Sequence, residues 1–185
     1  MSFEAESETE PLTAAQEAEL RRVACENAAA ELSDLDLEMS EADRFYALPS
    51  AVRAAVHLEK YEVAAQLADE LLALAPSYKA NWNYGNAIHH AHTALGLVAL
   101  SMKEVARAAE HLLAASATPG SPQLDTFGPS MELARALMRA GEFDPVAEYL
   151  HRCRVFWKMG AEWLDVWSDM VSRKAIPNCF MHAYR

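Results

Sequence analysis

The chain has 185 residues, 52% of them hydrophobic, with 27 acidic against 16 basic side chains and a formal charge of −11. This composition supports one domain with a real core and excludes wholesale disorder. The longest apolar run, Ala94–Leu100, falls far short of the roughly 20 residues a bilayer span requires, and no basic patch marks a nucleic-acid partner.

The charge is concentrated at one end. Thirteen Asp and Glu precede residue 44 against only Arg21 and Arg22, and the remainder holds fourteen of each sign. Met1–Pro11 is acidic, without an apolar stretch, and carries no secretory signature. Residues 1–12 are therefore expected to form a disordered acidic tail, with residues 13–185 as a single domain. Cys25, Cys153 and Cys179 are odd in number and lack CxxC spacing, which fits reduced thiols and a cytoplasmic location.

Taken in chain order, the elements are all helical. Thr13 with Gln16 forms a capping-box pattern before Ala14–Leu32. Ser40 and Asp43 start a short helix through Tyr46, and Pro49 suits the first turn of a separate helix, Ser50–Glu59. Glu62–Leu74 follows, stopped by Pro76; Gly85–Met102 and Lys103–Ala115 come next. Pro119–Pro129 is too rich in Pro and Gly for regular structure and reads as a rigid connector held by Leu124 and Phe127. Ser130–Ala140 ends at Gly141, Asp144 caps a helix from Pro145 to Phe156, and Ala161–Arg173 closes the chain. No segment alternates with period two over strand length, so the class is all-α.

Three helix pairs share one frame. Val52, Gly96 and Ala134 start units spaced 44 and 38 residues apart. Small residues recur twelve positions later at Ala64 and Ala108, with Val146 in the third unit; Tyr61, Leu112 and Phe143 are the larger gap-fillers. These spacings resemble the tetratricopeptide repeat, whose usual period is ~34. The segments WNYGNAIHHAH and TPGSPQLDTFGP also resemble those of a bacterial group of tetratricopeptide-like proteins. The resemblance implies antiparallel hairpins stacked as a short right-handed solenoid over residues 45–157, with capping helices at both ends. It also implies a concave groove, lined by the first helix of each pair, that binds a protein or peptide.

The densest chemistry is Asn81–His92, with three asparagines and three histidines entering a helix. Asn86, His90 and Thr93 fall on one stripe; His89, His92 and Gly96 form the stripe facing neighbouring helices. Carrying the groove stripe to the other units adds Arg53 and His57, and Arg135. With Asn83 from the same run and Gln123 and Asp125 from the Pro/Gly connector, this set is donor-rich and suits an acidic peptide or small acidic ligand. The histidines allow other readings: structural bonds to carbonyls, acid–base catalysis by His89, His90 or His92 near Asp125, or a metal on His89 and His92. Zinc takes three or four ligands, and no such set is evident. No GxSxG, phosphate loop or HExxH occurs, so no cofactor is implied. Trp163 and Trp167 read as core, or, if exposed, as a homodimer surface. The acidic head is expected to fold over Arg53 and Arg135 as an internal competitor.

Overall fold

The computed structural model describes residues 8–35 and 38–184. Nine α-helices and no strand occur among the described residues: α1 (Ala14–Ser33), α2 (Glu41–His57), α3 (Tyr61–Leu74), α4 (Tyr84–Ser101), α5 (Val105–Ala115), α6 (Pro122–Phe127), α7 (Glu132–Arg139), α8 (Asp144–Cys153) and α9 (Ala161–Ser172). Each of α1 to α4 packs on the next; α2 also meets α4, α4 meets α6 and α7, α5 meets α7 and α8, and α8 meets α7 and α9.

The start of α1 is chemically set. The Thr13 hydroxyl accepts from the Gln16 amide and Gln16 Oε1 accepts from the Thr13 amide, completing the capping box. Three hairpin turns then share one geometry. Glu59, Lys103 and Gly141 take left-handed backbone angles, φ 57°, 64° and 91°. The following amides donate back into the helix, Lys60 to Ala55, Glu104 to Ala99 and Glu142 to Leu137, at 2.8, 2.9 and 3.0 Å. These are Schellman-type closures. Each left-handed residue lies seven positions after Val52, Gly96 or Ala134, so the turn repeats with the sequence frame. Ala64, Ala108 and Val146 are all fully buried where the paired helices approach.

Two apolar clusters follow. One joins α2, α3 and α4 through Phe45, Leu48, Val52 and Leu71. The other joins α5, α7, α8 and α9 through Leu112, Leu137, Tyr149 and Trp167. Gly96 bridges them, since a Cβ there would lie 2.2 Å from Leu133 Cδ2.

Four expectations are corrected. Residues 41–57 form one helix, with Pro49 inside it. A proline in that place removes the amide that would reach the Phe45 carbonyl. The Asn83 side chain supplies the missing donor, Nδ2 to Phe45 O at 3.4 Å. The Pro/Gly connector contains α6, because Ser121 caps it by accepting from the Leu124 amide and Gly128, at φ 77°, ends it. The acidic tail is ordered by residue 8: Glu8 is buried and accepts from Trp167 Nε1 at 3.0 Å and the Cys179 amide at 2.5 Å. Residues 1–7 lie outside the described residues. Trp167 is fully buried, so the Trp163/Trp167 pair does not form an exposed dimer surface.

Candidate functional site

A cleft of about 360 Å³ lies between α2, α4 and α6. Its framework is a chain of side-chain amides. Asn81 Oδ1 accepts from the Asn83 amide at 2.9 Å, an Asx turn that starts α4. Asn86 donates through Nδ2 to Asn83 Oδ1 at 2.9 Å and Gln123 Oε1 at 3.2 Å, and its Oδ1 accepts from Ser121 Oγ at 2.5 Å. Thr118 Oγ1 donates to the Gly85 carbonyl at 3.1 Å. Gly85 itself permits the connector to dock, since a Cβ would lie 1.9 Å from Gly120 O. At the rim, Tyr46 and Trp82 stack with centroids 5.7 Å apart, and Asn81 Nδ2 donates to the Tyr46 hydroxyl at 2.6 Å.

Arg53, Asn83, Asn86, His90 and Gln123 thus meet around one cavity. Thr93 lies in the adjoining crevice with Arg53, His90 and Glu132. The other expected residues are elsewhere. Asp125 is exposed on α6 and lines neither space, so His90 and Asp125 form no acid–base pair there. His57 faces a separate cavity of about 280 Å³ beneath α1, with Nε2 3.1 Å from Glu132 Oε2. Arg135 is 4% exposed and is forked by Glu17 at 3.1 and 2.7 Å.

The donor-rich groove is therefore corrected to a partly neutralised one. Glu17 and Glu31 of α1, rather than residues 1–11, are the carboxylates that pair with Arg135 and Arg53 among the described residues. Arg139 and the Tyr184 hydroxyl also donate to Glu17, at 2.9 and 2.7 Å. Burial raises the Glu17 carboxyl, but these donors outweigh it and hold it down to about 2. Arg53 donates to Glu31 only through Nη2, at 3.1 and 3.2 Å, leaving Nε and Nη1 for another acceptor. Glu17, Ala24, Ala28 and Glu31 share one helical stripe, a pattern already present in the sequence. Its partners are 22 and 118 residues away, which no local pattern reveals.

The inward histidines are engaged by neighbouring backbone and ring atoms. His89 is fully buried; Nδ1–H donates to the Ala115 carbonyl at 3.1 Å, and Nε2 accepts from the Ser130 amide at 3.0 Å. That pairing needs a neutral ring, and burial pushes its pKa down to about 4. His92 and His111 share a hydrogen bond between their Nδ1 atoms at 3.1 Å, one donating and one accepting. Burial, and then the His111 neighbour, lower His92 to about 4 as well. These partners separate His89 from His92. Among the described residues no cluster of three or more His, Cys, Asp or Glu side chains has an arrangement able to hold a metal.

No family model matches the chain, and no curated protein or solved structure is significantly similar to it.

Proposed function

We propose that the chain is a tetratricopeptide-like binding module that holds the carboxylate of a peptide, partner protein or small acidic ligand in the α2–α4–α6 cleft. The observation that carries this reading is Arg53: its guanidinium lines the cleft with one nitrogen engaged and two uncommitted. Nε and Nη1 lie on different edges of the guanidinium, so each offers a carboxylate oxygen a single charge-assisted hydrogen bond. Asn86 and Gln123 hold the opposite wall in a fixed network, and the Tyr46–Trp82 stack offers an apolar rim for the ligand body. The repeated left-handed hairpin turns support the solenoid reading.

A thermal-shift screen of short dicarboxylates and Glu-rich peptides tests it. Arg53→Gln weakens any ligand found by about tenfold to a hundredfold, the size of a charge-assisted contact. A ligand that binds Arg53→Gln as tightly as the native chain refutes the assignment.

A second reading, acid–base chemistry on a small molecule, draws on the His57–Glu132 pair and its cavity. A carboxylate on one imidazole nitrogen orients the other as a base. Full turnover of a discovered substrate by His57→Gln would dispose of it.

A further inference from the structure

A cleft of about 780 Å³ lies between residues 8–16, α6 and the segment 178–182, with Arg53 outside its lining. Its lining is chemically one-sided. Phe127, Met159, Phe180 and Met181 all face it, and they are 51%, 71%, 41% and 62% exposed. Trp157 and Trp163 stand behind them, within a ring cluster in which each lies 5.0 to 5.8 Å from His182. An exposed patch of large apolar side chains gathered on a concavity marks a binding surface. Methionine adds adaptable, polarisable contact to it.

Among the described residues, the acidic side chains on the lining are the buried Glu8 and the exposed Glu10, and no lysine or arginine accompanies them. Glu8 is held in place by its bonds to Trp167 Nε1 and the Cys179 amide. Glu10 is exposed at the edge. Aromatic faces beside carboxylates attract a cation and repel an anion, and the wide apolar floor demands an organic body rather than a bare ion. We propose that this cleft binds an organic cation, an ammonium-like centre carried on an apolar or aromatic body. The site shares only Phe127 with the carboxylate cleft and stands whether or not that reading holds.

Tetraphenylphosphonium and tetraphenylborate, alike in shape and opposite in charge, are the probes. The intact chain is titrated with each, following tryptophan fluorescence and heat. The expected result is one phosphonium per chain, bound at least about tenfold more tightly than the borate. Glu10→Gln and Met181→Ala, both at exposed positions, each weaken the phosphonium about threefold or more. Arg53→Gln leaves it unchanged. Because the whole chain is acidic, Glu26→Gln on the outer face of α1 is the control. An effect there equal to that of Glu10→Gln would mean attraction by net charge and would overturn the site. Equal binding of the borate, or no binding of either ion, would also overturn it. So would sedimentation showing the cleft closed by a second copy of the chain.

Discussion

Helices α1 and α4 are nearly equal in length, 20 and 18 residues, and are held by opposite means. Ten residues of α4 are buried, including Gly85, Gly96 and His89, whereas α1 buries Ala28 alone. What fixes α1 is polar: Glu17 on Arg135, Arg139 and Tyr184, Glu31 on Arg53, Arg21 paired with Glu59, and the Cys25 thiol donating to the His57 carbonyl at 3.3 Å. Close packing resists salt, while exposed ion pairs yield to it. Helix α1 is thus a polar cover laid over a packed body, and cover and body should fail separately.

The sharpest test of that contrast is Gly96→Val. Its side chain would enter Leu133, and overpacking of this kind costs about 3 kcal/mol. Leu20→Ala on the half-buried face of α1 should cost about 1 kcal/mol. Urea unfolding compares them, and equal losses would erase the distinction between cover and body.

Acid should attack the body through its histidines. Folded His89 has a pKa of about 4 against the ordinary 6.5, so below pH 6.5 the unfolded chain takes up a proton the folded chain refuses. Stability is complete above that value and declines as pH falls toward 4, by up to about 3 kcal/mol for this group. His92 acts in the same window and direction. Urea midpoints measured at pH 7.5 and 4.5 should show the loss, and His92→Phe should shrink it.

A middle-sized effect concerns the proline inside α2. Asn83→Leu leaves the Phe45 carbonyl buried without its donor and should cost about 2 kcal/mol. In the Pro49→Ala background the new amide reaches that carbonyl, so the cost should fall by half or more. A double-mutant cycle without coupling would show that Asn83 does not compensate for the proline.

The smallest effect belongs to the cover. Glu17→Gln should loosen α1 by about 1 kcal/mol, seen as roughly fivefold faster amide exchange in residues 14–33 with little change in global unfolding. Because the native Glu17 carboxyl is held down to about 2, its contribution is present above pH 4.5 and is lost only as pH falls toward 2. Acid therefore damages the histidine-containing body before it releases this contact.

Much of the fold was legible because it is written locally. Thr13 with Gln16, Ser40 with Asp43, and Gly141 announce helix ends within three or four residues of where they act. Glu59 and Lys103 hid the other two hairpin turns, since neither residue type advertises a left-handed conformation. The cleft was legible in part, through the helical stripe that aligned Asn86 with His90. Glu132, which faces His57 across 75 residues, carried no such signal.

By itself, then, the sequence determined an all-helical chain, the frame at Val52, Gly96 and Ala134, and the segregation of acid at one end. These follow from capping, periodicity and composition, which act over a few residues. Tertiary structure decided which cations keep uncommitted donors. Arg135 and Arg53 look equivalent in the chain, yet Glu17 closes around both terminal nitrogens of the first and Glu31 takes only one nitrogen of the second. Which carboxylate meets which guanidinium depends on how α1 lies across helices far away in sequence, and only their packing fixes that.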